Sequence, residues 1–313
     1  MELELLEVAR GVFACLQPGG GLGRSNSGLV ARGGGLVVDT FWDLGHTRGL
    51  IEQYRRVWPH PARRVVNTHA NGDHCWGNQL FPEAEVIGHR RCAEAFARES
   101  PESMQALKAM RDAADPALRA FAEALAPFDF EGVELRPPTT VFDERLSLDL
   151  DEGVEARLLY VGPAHTAGDV IVHLPAERVV FAGDVLFRLC TPIGWEGTYA
   201  GWYAALDQIL ALEPDVIVPG HGPVCGLEGP REMKAYLEYV RSESERFFAQ
   251  GLGVVEAAKR IDPGPYAAWA EPERIVFNVD RAYRELRGEP FDAPIDVAAI
   301  FRGVYEVRQS RRA

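Results

Sequence analysis

Four strand-like apolar runs in this chain each lead into a histidine or aspartate set among glycine or proline. This recurrence constrains the fold more than any other feature. The run "VVNT" leads into "HANGDH", with His69, Asp73 and His74. "ARLLYVGPAHTAGD" carries His165, "VVFAGD" ends on Asp184, and "VIVPGHG" holds His221. Strand ends hold side chains rigidly, and glycine lets the backbone turn sharply around a small ion. A lone histidine beside a strand is most often structural. The same residue types at four separate strand ends point instead to loops converging on one centre. His46, His60, His89 and His173 lack this setting and read as structural or surface residues.

The remaining pattern says what kind of scaffold holds such a centre. Residues up to about 90 read as short strands and tight turns, including "GVFACL", "GLVARGGGLVVDT" and "AEVIGH". Residues 92–126 turn to Ala, Glu, Arg and Leu at helical spacing and read as two helices interrupted near Pro116. Strand patterns return in "TTVFDERLSLDL", "EARLLYVG", "DVIVHLP" and "RVVFAGD"; "YAALDQILAL" is helical and "DVIVPGHG" is a strand. From Pro230 onward the pattern is helical, with Met233, Tyr236, Leu237 and Val240 at the spacing of one helix face. Mixed strands and helices in two halves predict an α/β domain of layered sheets and helices, though not its topology. The expected division is a catalytic domain over 1–228, with the helical insertion at about 92–126, and a helical C-terminal extension over 229–313 packed on it.

Composition narrows the partners. The net charge is −13, which disfavours the phosphate backbone of nucleic acid. No run of 18 apolar residues exists, so no membrane span is expected. The start, "MELELLEVAR", places acids where a secretory leader needs positive charge. Cys15, Cys75, Cys92, Cys190 and Cys225 are scattered and odd in number, and fit reduced thiols in a cytoplasm. The expected partner is a small-molecule substrate, with a homodimer left open.

Imidazole and carboxylate donors without thiolate suit Zn²⁺, Mn²⁺ or Fe²⁺. Six such candidates exceed the three or four protein ligands of one site, so two adjacent ions about 3.5–4 Å apart are expected, with Asp184 as the natural bridge.

These residues, in this order, resemble the motif set of the metallo-β-lactamase superfamily of hydrolases. The family pattern HxHxDH, then His, Asp and His, reads here as His69, Asn71, Asp73, His74, His165, Asp184 and His221. The resemblance spans about residues 10–225 and implies a four-layer αββα sandwich. It implies one metal site from His69, Asn71 and His165, a second from Asp73, His74 and His221, and Asp184 shared. Asp39 in "VVDT" matches an early family aspartate that supports the site from behind its ligands. Zinc β-lactamases of this superfamily mostly carry cysteine where Asp184 stands, so the resemblance is to the glyoxalase-II-like hydrolases.

Asn71 departs from the family pattern. Its amide oxygen is a weaker donor to zinc than imidazole and suits harder ions such as Mn²⁺ better. Three occupancies follow: both sites filled with Asn71 ligating, one ion in the second site, or one ion on His69, His165 and Asp184. The last donor set suits mononuclear iron and resembles the persulfide dioxygenases of the same superfamily. The expected reaction is cleavage of an ester, thioester or lactone by water that a bound metal has deprotonated. Asp73 would ligate, orient that water or pass a proton, and Thr166 would brace His165 or shape a turn. Phe41, Trp42, Trp195, Tyr199, Trp202 and Tyr203 could line an apolar pocket, with Trp202 and Tyr203 also fitting a buried helix start. The insertion could cap the cleft, serve as scaffold or form a dimer contact. Arg281, Arg284 and Arg287 could match the basic residues that a glyoxalase II carries for glutathione, but read as surface residues of a helix. A binding or regulatory protein with a decayed site is the non-enzymatic alternative.

Overall fold

The computed structural model describes residues 3–150 and 153–312; Met1, Glu2, Asp151, Glu152 and Ala313 lie outside it. Two sheets face each other. The first runs in chain order through β1 (Glu4–Ala9), β2 (Val12–Leu16), β3 (Ser27–Val30), β4 (Leu36–Val38), β5 (Arg64–Val66), β6 (Glu85–His89) and β7 (Thr140–Phe142). Its first four strands pair antiparallel and its last four parallel. The second sheet is formed by β8 (Arg145–Asp149), β9 (Glu155–Tyr160), β10 (Val170–Leu174), β11 (Val179–Phe187) and β12 (Val216–His221), ordered β12-β11-β10-β9-β8.

The segment "TTVFDERLSLDL" is not one strand. It breaks at Asp143 and Glu144, so that β7 ends the first sheet and β8 begins the second. The sequence gives no cue that consecutive strands change sheets, because the sheet a strand joins is set by partners outside the segment, β6 for β7 and β9 for β8.

Between the sheets lies an apolar layer that includes Val12, Ala14, Val38, Val66, Leu158, Val170, Val172 and Phe181. β11 is buried along its whole length, which explains its nearly unbroken apolar sequence. It lies between β10 and β12, with the first sheet on one face and helices on the other. Gly28 on β3 makes room for the Phe181 ring, since a Cβ there would lie 2.2 Å from it.

Helices cover the outer faces. α1 (Leu44–Arg55) lies on the first sheet, where Leu50 and Tyr54 meet Leu29, Val37 and Val65. A single turn, α2 (Gly72–Cys75), carries part of the histidine cluster. α3 (Arg90–Ala95), α4 (Pro101–Lys108) and α5 (Pro116–Ala124) follow β6. Pro116 therefore opens a helix instead of interrupting one. Asp115 caps α5 by accepting from the amides of Ala117 and Leu118, and proline suits a first helical position. α6 (Tyr199–Ala211), α7 (Glu228–Ala249), α8 (Val254–Arg260) and α9 (Ile275–Leu286) share one apolar cluster with β11. α10 (Val297–Arg312) closes the chain and packs against α5, α8 and α9.

The architecture is thus the four-layer αββα sandwich with C-terminal helices. Among the described residues no helix is long and apolar enough to cross a membrane. All five cysteines are buried free thiols.

Phe181→Ala should lower stability by about 3–5 kcal/mol, as expected for emptying a close-packed aromatic site. Urea unfolding would read this; a loss below about 1 kcal/mol would show that the two sheets close over the gap.

Candidate metal centre

Four chain segments deliver the cluster to one end of the sandwich. His69 follows β5 and precedes the α2 turn, His74 lies within that turn, His165 sits in the β9–β10 turn, Asp184 lies within β11, and His221 ends β12. Asp184 lies at the middle. Its Oδ2 is 3.9 Å from His69 Nε2, 3.4 Å from His165 Nε2 and 3.3 Å from His221 Nε2, and its Oδ1 is 3.1 Å from His74 Nε2. The donor atoms form two trios, His69 with His165 and Asp184, and Asp73 with His74 and His221; within each trio every pair lies within 4.8 Å.

Each imidazole is oriented through its other nitrogen. His165 Nδ1 is 2.7 Å from Ile193 O and His221 Nδ1 is 3.0 Å from Arg24 O. A carbonyl only accepts, so both nitrogens carry the proton and both rings offer Nε2 to the centre. His74 Nδ1 lies 2.9 Å from Asp39 Oδ2. Asp39 also accepts from Thr68 N and Thr68 Oγ1, both at 2.7 Å. The Thr68 hydroxyl spends its only proton on Asp39, so at 3.0 Å it accepts from His69 Nδ1–H. One carboxylate thereby sets two histidines. Asp39 adopts a left-handed backbone, φ 59°, unusual for a side chain with a Cβ. Two glycines permit the close approach of these parts. A Cβ on Gly220 would lie 2.0 Å from Asp184 Oδ1, and one on Gly183 would lie 2.5 Å from Thr68 Oγ1.

The electrostatics are those of a buried acid among imidazoles. Burial pushes the Asp184 carboxyl up, yet His221 and His74 together hold it well below the usual carboxylate range. Burial pulls the His74 imidazole down, but Asp184, Asp73 and Asp39 outweigh it and hold His74 well above its usual range. His69 is pushed well below that range, first by burial and then by repulsion from His74.

The residues present fit a pair of divalent cations. His69 Nε2 is buried without a hydrogen-bond partner and faces Asp184. Asn71 Oδ1 lies 2.8 Å from His165 Nε2. A neutral His165 that donates from Nδ1 turns the Nε2 lone pair toward this oxygen, an arrangement that suits two donors to one cation. Asn71 thus stands where an additional donor to the His69–His165–Asp184 trio is needed. Asp73 Oδ2 lies 3.4 Å from His221 Nε2.

A cavity of about 700 Å³ opens over the cluster, lined by Asn71, Asp73, His165, Asp184 and His221 among others. Trp42, Trp76, Met104, Leu107, Phe121, Ile193, Trp195 and Phe301 make much of its remaining wall apolar. The insertion forms part of that wall. Of the aromatic residues singled out in the sequence, Trp42 and Trp195 face the cavity. Phe41 is buried beneath α1; Tyr199 and Trp202 are buried in the outer core, where Trp202 Nε1 donates to Val185 O; Tyr203 packs at its margin. Thr166 both lines the cavity and shapes the turn, since its hydroxyl and amide donate to Asp169. Asp169 also accepts from Ala164 N, bracing His165 from both sides. Burial raises the Asp169 carboxyl to about 6.

Several residues escaped the sequence reading. Arg281 and Arg284 are not surface residues but buried, at 2% and 3% exposure; only Arg287 is exposed. Arg281 donates to Phe291 O and Arg284 to Ala293 O, so together they hold the loop that follows α9. Helical periodicity shows nothing of a loop that folds back over its own helix. Glu99 lines the cavity and accepts from Trp76 Nε1; burial, then the Asp73 charge, raises its carboxyl to about 7. Asn26 donates to Pro219 O and Gly222 O, clamping the turn that carries His221. His89 caps α3 and stacks on Tyr160 at 3.9 Å, and His46 pairs with Asp43, both outside the cluster.

The sequence profile of one protein family, described as the Metallo-beta-lactamase superfamily, matches residues 20–221. The chain is 30% identical over 196 residues to the 2,4-dinitroanisole O-demethylase subunit alpha of Nocardioides sp. strain JS1661, covering 60% of this chain and 49% of the relative. It is 24% identical over 305 residues to a linear primary-alkylsulfatase of Pseudomonas sp. strain ATCC 19151, covering 87% and 57%. It therefore spans about half the length of these curated relatives. Its fold matches the solved structure of a stereoselective inverting sec-alkylsulfatase from Pseudomonas sp. with a TM-score of 0.65, at 17% identity, over 94% of this chain and 52% of that one.

Asn71→His should tighten metal binding at the trio of His69, His165 and Asp184, read by elemental analysis and calorimetric titration. Unchanged stoichiometry and affinity would show that Asn71 is no handicap. Metal uptake should also release protons, because His74 must become neutral to bind. Since the raised His74 holds its proton to higher pH, affinity should fall as pH drops, by about tenfold per unit for each proton displaced. Chelator competition between about pH 6 and pH 8 would measure the slope.

Proposed function

Since the chain belongs to the metallo-beta-lactamase superfamily, we propose that it is a metal-dependent hydrolase cleaving an ester-type bond in a small molecule, such as a carboxylic ester, thioester or lactone. The observation that carries this reading is the pair of histidine–carboxylate trios bordering one large, mostly apolar cavity. The relatives add support. One is named for alkyl sulfates and another for 2,4-dinitroanisole, each an alkyl or aryl group bound through oxygen.

His69, Asn71 and His165 would hold one divalent ion and Asp73, His74 and His221 the other, with Asp184 shared. Such ions supply Lewis acidity and make water acidic enough to attack near neutral pH. The protein supplies orientation and proton handling. Asp39 and Thr68 keep Nε2 of His74 and His69 facing the centre, and such supporting contacts commonly contribute 10–100-fold in affinity. Asp73, partly open to the cavity, can accept a proton from the attacking water or pass one to the leaving group. Glu99 can hold or release a proton at the cavity wall near neutral pH. Trp42, Trp76 and Trp195 exclude water from the apolar part of the substrate.

A second reading rests on the trio of two histidines and one carboxylate, His69, His165 and Asp184, a donor set that suits mononuclear iron. It predicts oxygen uptake with glutathione persulfide. The two readings separate in one experiment. Protein stripped by chelation and reloaded with zinc or manganese should hydrolyse members of a panel of aryl esters, thioesters and lactones, and lose that activity on renewed chelation. Oxygen consumption only after iron loading would favour the dioxygenase. Neither activity in metal-replete protein would return the chain to a binding role.

A further inference from the structure

We propose that the cavity seats an extended, uncharged apolar arm of the substrate between helices α5 and α10, and that Phe121 and Phe301 form the stop that sets how long this arm can be. The proposal rests on the hydrolase reading for the bond that is cleaved, but the arm's seat follows from the cavity itself.

Asn71, Asp73, His165, Asp184 and His221 line the cavity of about 700 Å³. Leu118, Phe121, Val297 and Phe301 continue its wall on α5 and α10. The two helices meet through the Phe121 and Phe301 rings, 4.3 Å apart, and through an ion pair of Arg302 with Asp115 at 3.3 Å. A second cavity, of about 60 Å³, adjoins this contact and shares Phe121 and Phe301 as walls. Its remaining wall includes Ala120, Ala124, Phe277 and Val304, where the alanines of α5 leave room that larger side chains would fill. Phe121 and Phe301 therefore stand between two apolar spaces.

Two arginines in this region already have partners. Arg302 is paired with Asp115, and Arg274, which lines both cavities, is paired with Glu271 at 2.6 Å. A charged arm would compete with these pairs and, if anionic, meet the Asp292 carboxylate in the cavity wall, whereas an alkyl or aryl arm gains from burial without disturbing them. Each buried methylene should tighten binding about fourfold until the stop is reached.

Two series of probes test this on the zinc-loaded protein. 4-Nitrophenyl esters of increasing chain length report turnover. Straight-chain 1-alkanols report binding without chemistry, through the fluorescence of Trp42, Trp76 and Trp195 in the cavity wall. In the wild type, affinity for the alkanols and kcat/KM for the esters should climb with chain length and then break off. Phe301→Ala and Phe121→Ala should move the break to longer chains, raising the long-to-short kcat/KM ratio at least about tenfold, the gain from roughly two further methylenes. Leu118→Trp, which narrows the space instead of opening it, should move the break to shorter chains. Thermal melts identify any variant that fails to fold, and the opposite shifts of filling and opening variants keep the test independent of that failure. Alkanol binding with the expected break but no ester hydrolysis would uphold the seat and count against the hydrolase reading. Ester hydrolysis with flat chain-length dependence and no alkanol binding would overturn the seat and leave the hydrolase reading standing. Tighter binding of carboxylate-terminated than of hydroxyl-terminated chains would overturn the uncharged arm.

Discussion

A buried carboxylate with four imidazoles around it is the contact on which the rest of this structure depends. Asp184 sits inside the sandwich, where an isolated charge costs several kcal/mol. Its neighbours must therefore supply positive charge, as protonated histidine or as metal. His221 and His74 hold it ionised, and it in turn holds His74 protonated. Removing one member would strand the others, so the cluster is an assembly of mutually dependent parts. A cation pair satisfies the same lone pairs without the competing protons, which is why the arrangement reads as a metal centre and not as a structural ion pair.

The fold serves that contact by placing rigid strand ends around one point. β11 threads the core between two strands, so Asp184 enters the cluster on a backbone buried and paired on both sides. Gly220 lets the neighbouring strand pass within reach of its carboxylate, and Gly183 admits Thr68. Asp39, itself in a strained left-handed conformation, is fixed by Thr68 and His74, and strain of this kind persists only where surrounding contacts enforce it. The histidines are thus oriented by groups that never touch the centre, among them the carbonyls of Arg24 and Ile193.

Around this core, segments from distant parts of the chain build the cavity wall. The insertion after β6 and the helices after β12 are far apart in sequence, yet α5 and α10 pack together and wall the same cavity. Their meeting gives the strand-end cleft a partly enclosed, mostly apolar wall. The loop after α9 is held by Arg281 and Arg284, whose burial reflects support for that wall and not contact with solvent.

The residue types at the centre were legible in the sequence because metal chemistry restricts them to a few donors, and strand-end settings recur around them. The layered α/β class was legible because apolar periodicity reports which elements are covered. Asn71 was visible as a departure, but its contact with His165 Nε2 was not, since two side chains 94 positions apart share no local pattern. The transfer of the chain between sheets at Asp143 and Glu144 was hidden for the same reason. Glu99 carries no motif, and only its burial beside Trp76 and Asp73 gives it an unusual proton affinity. Backbone carbonyls that orient histidines are common to every residue and cannot be read from identity. The sequence by itself determined which atoms could bind a cation, because donor chemistry is a property of the side chain. Only the tertiary structure decided how those atoms are aimed, what shape of cavity covers them and which charges are already spent, because these depend on contacts between segments distant along the chain.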